Sequence, residues 1–400
     1  MTIVEFFDQS PTANLISCLV FRPDKVIFIG EAQKMKQQIL CYKKILAQKK
    51  ITTEIVLKTV SLNKIDTIAE LLSEIVEQEK DCIFDLTGGD AVSLAAMGMI
   101  YERYRNQKQI RMHHFDTLTG CTKGCDFSGE APKMTGQAEI SVAENIMLYG
   151  GTVRFTGYRG EKSEKTTAKL WRICCSDPAG WNRAVSDLRE LESRREAKED
   201  RLAVTISTGA LAGIPNAEQK LKSADQLLSQ LQKSGLIHNY SCRKDSISYC
   251  YQNDYVRHCL EKAGNILEAK VLSVAGGMLD DDGRPYYSDA KSGAAIDWDG
   301  DLEDAGTCNE IDVLLMRGVI PVFISCKNGE IDDDELYKLN TVALRFGGIY
   351  AKKALIASEM RRKGAGTEYF MQRAEDMGIL VIDNMAHLTD KMLEEKLRNL

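Results

Sequence analysis

No uninterrupted apolar stretch in the 400-residue sequence is long enough to span a bilayer, which excludes a transmembrane helix. Met1-Thr2-Ile3-Val4-Glu5-Phe6-Phe7 carries neither a basic leader nor a long apolar core, so the sequence predicts a soluble, cytoplasmic protein with no membrane partner. Positive charge is not in excess: 52 Lys and Arg stand against 58 Asp and Glu, a net charge of -6. That excludes a broadly basic coat for nucleic acid, but not a local site at which a metal ion offsets acidic side chains. GxGxxG and Gly-Lys-Ser/Thr are both missing, so neither a dinucleotide fingerprint nor a Walker loop is supported. Internal repeats and low-complexity tracts are missing too. Cysteine, by contrast, is plentiful, with 12 residues. Cys18, Cys41, Cys82 and Cys326 sit inside apolar runs, the pattern of reduced, buried thiols rather than of a disulfide framework.

A chain of this length has room for two or three domains, each with its own core. The first third alternates strand-like and helix-like segments. Strands are predicted over 2–7, 25–30, 53–60 and 82–86, and helices over 14–21, 33–49, 64–79 and 91–104. This rhythm predicts a parallel sheet covered on both faces, an α/β unit that is Rossmann-like in the broad sense and occupies residues 1–150. Residues 157–254 are polar and mostly helical. There a helix over 224–235 precedes two alternating segments, 236–240 and 247–251, around a turn at 242–246, which is the outline of a winged helix. A third unit, 255–400, opens on a helix over 264–274 and continues through a long acidic loop (280–283, then 297–304). Two strands, a helix over 333–345, and strands over 351–357 and 378–382 follow.

The sharpest chemical signal lies in those two strands, Asn309-Glu310-Ile311-Asp312-Val313 and Val322-Phe323-Ile324-Ser325-Cys326-Lys327. Each reads as a buried strand yet carries charge. Glu310 and Asp312, two residues apart, are expected on one face, and Lys327 closes an apolar run. Unpaired charge is costly to bury, and a structural ion pair would need one acid rather than two. Two carboxylates and a lysine on paired strands suit a divalent metal with a hydrolytic water beside it. Glu268, in an otherwise apolar helix, reads on its own as a solvated side chain.

A second signal is a rim of loops at the C-terminal end of the first sheet: Asp8 to Asn14 after the first strand, Gly30-Glu31 after the second, and Thr87-Gly88-Gly89-Asp90 after the fourth. Glycines let the backbone approach a phosphate or ribose, and helix N-termini offer free N–H groups there. The structural alternative is turn chemistry with Asp90 as an N-cap. His113, His114, Cys121 and Cys125 match no strong zinc template.

Taken in order, these motifs resemble a known family. Asn14-Leu15, the run Pro23 to Gly30, and Asp85-Leu86-Thr87-Gly88-Gly89 resemble a CARF (CRISPR-associated Rossmann fold) sensor domain. Gly264-x-x-Leu267-Glu268, Asn309-Glu310-Ile311-Asp312-Val313 and Ser325-Cys326-Lys327-Asn328-Gly329 resemble a PD-(D/E)XK restriction-endonuclease-like α/β domain. With the winged-helix-like insert between them, the whole is similar to the ancillary nucleases of type III CRISPR systems.

The resemblance implies a homodimer activated by cyclic tetra-adenylate, which cleaves DNA or RNA. Ser10, Thr12, Asn14, Gly30, Thr87, Gly88 and Gly89 would contact the activator. Mg²⁺ or Mn²⁺ would rest on Asp312, the backbone carbonyl of Cys326, and Glu268 or Glu310, with Lys327 steering the attacking water. One position departs from the signature: Ser325 stands where the family often has an acid, and a hydroxyl is a poorer ligand for a hard cation. Two other readings stay open. One is a ligand-responsive transcription regulator with a degenerate nuclease domain. The other is a restriction-type nuclease that needs no activator.

Overall fold

The computed structural model describes the chain except residues 117–119, 126–135, 159, 162, 197–199, 244–245, 299–307 and 363–365, and the side chains of 208, 361 and 362. The first unit contains β1 (Thr2–Phe6), α1 (Ala13–Phe21), β2 (Lys25–Ile29), α2 (Ala32–Gln48), β3 (Glu54–Lys58) and α3 (Ile65–Gln78). It continues with β4 (Asp81–Asp85), α4 (Ala91–Tyr104), β5 (Gln109–Asp116), β6 (Cys121–Gly124) and α5 (Val142–Leu148). The strands form a six-stranded sheet in the order β3-β2-β1-β4-β5-β6. All pairings are parallel except that of β5 with β6. Strands β1, β2 and β4 are buried on both faces and read as continuous apolar runs, as helix-covered parallel strands do.

A connecting strand, β7 (Thr152–Phe155), leads to α6 (Glu164–Ser176), α7 (Pro178–Glu192), β8 (Ala203–Ser207), α8 (Ala217–Lys233), β9 (Ile237–Cys242) and β10 (Ser246–Tyr251). Here β8-β10-β9 make a three-stranded antiparallel sheet, with α8 feeding directly into the β9–β10 hairpin. Two residues of the turn expected there, 244 and 245, lie outside the described residues.

The third unit comprises α9 (Asp254–Cys259), α10 (Asn265–Gly277), β11 (Asp289–Asp297), β12 (Cys308–Arg317), β13 (Ile320–Lys327) and β14 (Glu330–Ile331). After these come α11 (Asp334–Gly347), β15 (Lys352–Ala357), β16 (Arg361–Arg362), α12 (Thr367–Asp376), β17 (Ile379–Ile382) and α13 (Asp390–Arg398). Its six-stranded sheet runs β17-β15-β13-β12-β11-β7, so the connecting strand forms one edge. β11 was not anticipated between the two halves of the acidic loop. Its sequence, Asp-Ala-Lys-Ser-Gly-Ala-Ala-Ile-Asp, has small side chains and no long apolar run, and pairing with β7 and β12 makes it a strand.

Side chains of β12 alternate between two cores. Val313 and Leu315 join α10, α6 and α7 in one cluster. Leu314 and Met316 join α11, α5, α2 and α1 in another, which continues without a break into the first unit. The third sheet is therefore packed between the middle unit on one face and α11 with the first unit on the other. Helix α5, started by a reciprocal Ser141–Glu144 capping box, touches α2, α11 and β11 and ties the two large sheets together. Among the described residues no helix is long and apolar enough to cross a membrane.

Candidate active site and sensor-side cavity

Strands β12 and β13 pair from Arg317↔Ile320 as far as Val313↔Ile324, and then part. Asp312 fills the opening: its Oδ2 accepts the Cys326 N–H at 2.6 Å and the Ser325 hydroxyl at 3.3 Å. Burial raises its pKa despite those hydrogen bonds and the nearby Lys327 ammonium. Glu310, Asp312, Ser325 and Lys327 all line one cavity of about 270 Å³, so the fold brings the strand residues together as expected.

Glu335, in the first turn of α11, completes that cavity and was not anticipated, because an acid at a helix start ordinarily reads as solvated. Its carboxylate stands 2.7 Å from Lys327 Nζ and 3.5 Å from Lys338 Nζ. Burial opposes the charge on Lys327, but the Glu335 and Asp312 carboxylates outweigh it and hold the ammonium above its ordinary value.

Glu310 is half exposed, accepting the Thr156 hydroxyl at 3.1 Å, with Lys262 at 4.0 Å. Glu268 reaches the site from α10 and is not the solvated side chain its helix suggested. Burial and the Asp312 and Glu310 carboxylates push its pKa up to about 8, against the pull of Lys262 and Lys327. The Cys326 thiol is fully buried and pushed well up, by burial first and then by Asp312 and Glu268, so it is not a nucleophile.

Among the described residues no three His, Cys, Asp or Glu side chains converge closely enough to hold a metal ion as they stand. The donor chemistry nonetheless fits a hard cation. The Asp312 and Glu310 carboxylates raise the cost of ionising Glu268, and Glu310 raises that of Asp312; a cation beside them would relieve both. His113 is buried against Asp85 and Ser17, while His114 lies 2.9 Å from the Cys125 sulfur.

On the first unit, the rim loops border a larger cavity, of about 760 Å³. Ser10 and Gly89 line it; Thr12, Asn14, Gly30, Thr87 and Gly88 do not. Instead, these five residues shape the loops. Buried Asn14 accepts the Asp8 N–H at 2.8 Å and donates to the Asp8 carbonyl at 3.0 Å and the Tyr42 hydroxyl at 3.1 Å. Thr87 donates to Asp85 and accepts the Phe115 N–H at 2.9 Å. A Cβ at Gly30 would lie 2.9 Å from Phe7 Cβ, and one at Gly88 2.8 Å from Asp8 Cβ. Gly89, at φ +106°, donates its N–H to Asp8 Oδ2 at 3.0 Å, closing the first loop against the fourth.

Beneath the rim, Asp85 is held well below the usual carboxylate range. Burial opposes this, but His113 and the Ser17 and Thr87 hydroxyls outweigh it, while neighbouring Glu5 is pushed well up by burial and by Asp85.

Several cavity residues lie far from the rim motifs in sequence: Tyr149 just past α5, Leu344 and Arg345 in the last turn of α11, and Ile349 just beyond it; Lys34 of α2 follows the Gly30-Glu31 loop closely. Tyr149 places its hydroxyl 3.3 Å from Ser10 Oγ and 3.5 Å from Thr12 Oγ1, and its carbonyl accepts from Arg345. No local motif marks these contacts, because the topology creates them across some 140 to 200 residues of chain.

No protein-family model and no curated protein sequence matches the chain. Solved structures do. Protein VC1899 from Vibrio cholerae is 20% identical with a TM-score of 0.72, covering 100% of this chain and 97% of that one. Can2 from Sulfobacillus thermosulfidooxidans, solved in complex with cyclic tetra-adenylate, is 17% identical with a TM-score of 0.64, covering 100% and 96%. A type III CRISPR defence DNA nuclease activated by cyclic oligoadenylate is 13% identical with a TM-score of 0.50; the match covers 91% of this chain and 46% of that one. The chain shares their fold: a mixed α/β architecture with two six-stranded sheets.

Proposed function

We propose that this chain is a metal-dependent nuclease of type III CRISPR defence, switched on by cyclic tetra-adenylate and acting on DNA or RNA as a homodimer. The observation that carries the reading is a pair of cavities on one continuous core. One is lined by Asp312, Lys327 and Glu310, and the other by the rim of the first sheet. The fold shared with Can2, which was solved with cyclic tetra-adenylate, supports the rim as the activator site.

Asp312, Glu268 and the Cys326 carbonyl would hold the ion, with Glu310 at the mouth. When bound, Mg²⁺ or Mn²⁺ supplies Lewis-acid polarisation of the scissile phosphate and of a water. The rest falls to the chain's own residues. Lys327 orients the attacking water and offsets developing charge, while Lys262 and Lys338 attract the phosphate backbone to the cavity. At the rim, Ser10, Lys34 and Arg345 offer hydroxyl and cationic groups to a ring of phosphates, and Gly89, without a side chain, lets them come close to the backbone. Beside it, α4 exposes Val92 (41%) and Met99 (53%), an apolar stripe suited to a second copy, whose two-fold symmetry matches that of a cyclic tetranucleotide.

Ser325, a hydroxyl where the signature has an acid, favours one other reading: a winged-helix transcription regulator with a silent nuclease unit. Incubation with Mn²⁺ and plasmid or single-stranded RNA, with and without cyclic tetra-adenylate, separates the readings. Cleavage that needs the activator is expected. Cleavage in both cases points to an ungated nuclease, and none in either points to the regulator.

A further inference from the structure

Helix α11 borders both cavities. Its first two turns carry Glu335 and Lys338 to the Asp312–Lys327 cavity, and its last turn carries Leu344 and Arg345 to the rim cavity. At about 1.5 Å per residue, Glu335 and Arg345 are separated by ~15 Å along the helix axis. We propose that Glu335 is a positioning residue for Lys327, and that α11 moves it in response to what occupies the rim cavity. The proposal rests on the nuclease reading above and names the element that gates it.

Contacts at both ends support it. At the rim end, α11 is fastened to the segment that touches the activator loops. Arg345 donates to the Tyr149 carbonyl, Asn145 Nδ2 donates to the Phe346 carbonyl at 2.7 Å, and the Tyr149 hydroxyl sits beside Ser10 and Thr12. A Cβ at Gly348, which ends the helix at φ +55°, would stand 3.1 Å from that hydroxyl. A ligand that displaces Tyr149 therefore displaces the end of α11. Between the ends, Leu336, Leu339, Val342, Ala343 and Phe346 are buried in close-packed core, so the helix shifts as a unit rather than bending. At the catalytic end, Glu335 is the 2.7 Å partner of Lys327. Axial movement of α11 must lengthen or redirect that contact, and with it the direction in which Lys327 faces Asp312.

The test follows Lys327 itself, without metal or substrate. Full-length protein is labelled with ¹³Cε-lysine, and the Lys327 resonance is assigned by its loss in K327R. Cyclic tetra-adenylate is then added, with binding measured separately by calorimetry. The resonance is expected to shift in the parent and to shift by less than half as much in E335Q, at matched activator occupancy. Binding without a Lys327 shift in the parent overturns this proposal alone. Failure of cyclic tetra-adenylate to bind overturns the sensor reading and this proposal with it. In the cleavage assay, E335Q is expected to lose roughly 10- to 100-fold in activated kcat at a KM within about twofold, as a misdirected catalytic group does. E335D is expected to recover part of that loss. E335Q cleaving within about twofold of the parent overturns the positioning role.

Discussion

The Asp312 carboxylate accepts the Cys326 backbone N–H at 2.6 Å, where β12 and β13 have ceased to pair. One side chain thus substitutes for a rung of the ladder and lines the cavity it shares with Glu310 and Lys327. Asp312→Ala removes both roles. It leaves a buried N–H without a partner, with an expected loss of about 1–3 kcal/mol in urea unfolding. Asp312→Asn retains an acceptor, so it should unfold within about 1 kcal/mol of the parent and yet not cleave. Stability curves of the two variants, set beside their cleavage rates, separate the structural role from the chemical one.

Glu268 gives the protein a pH dependence of defined sign. Its folded pKa is raised to about 8 from an ordinary 4.5, so between those values the folded chain holds a proton that the unfolded chain releases. Its contribution is fully present below pH 4.5 and is lost as pH rises through 8. Urea midpoints for Glu268→Gln and the parent should therefore diverge with rising pH, the variant becoming the more stable. The expected difference at pH 8.5 is on the order of a few kcal/mol at most.

Ser325 is 8% exposed and lines the same cavity as Asp312. Ser325→Asp adds a carboxylate among carboxylates. Without divalent ion the variant should lose roughly 1–3 kcal/mol of stability through desolvation and repulsion. With Mn²⁺ it should regain that stability and bind the ion more tightly than the parent, measured by calorimetry and by thermal shift across a Mn²⁺ titration.

At the rim, Tyr149→Phe deletes the hydroxyl beside Ser10 and Thr12 and leaves the ring in place. A loss of about 1 kcal/mol, or roughly fivefold in cyclic tetra-adenylate affinity, is expected by calorimetry, with unfolding little changed.

The first sheet was readable because β1, β2 and β4 are apolar on both faces, which leaves period and length unambiguous. Strand β5 was missed because Arg111, His113 and His114 interrupt its apolar pattern, and β11 because Ala and Gly carry little strand signal. At the cavity between β12 and β13, Glu310, Asp312 and Lys327 were legible as charges inside buried strands. Glu335 was not, since an acid in the first turn of a helix looks the same whether it meets water or a lysine. At the rim, the glycines marked loops that border the larger cavity, where Gly30 and Gly88 permit close backbone packing rather than lining it. Tyr149 and Arg345 reach the cavity only through the stacking of two sheets, which no local pattern encodes.

The central claim is that the Asp312–Lys327 cavity cuts nucleic acid only when the rim is occupied. Its most direct measurement is cleavage of plasmid and single-stranded RNA in Mn²⁺ by the parent and by Lys327→Ala, each with and without cyclic tetra-adenylate. The account predicts cleavage by the parent with activator and none in the other three combinations. Lys327→Ala cutting as fast as the parent, or the parent cutting equally without activator, would contradict it.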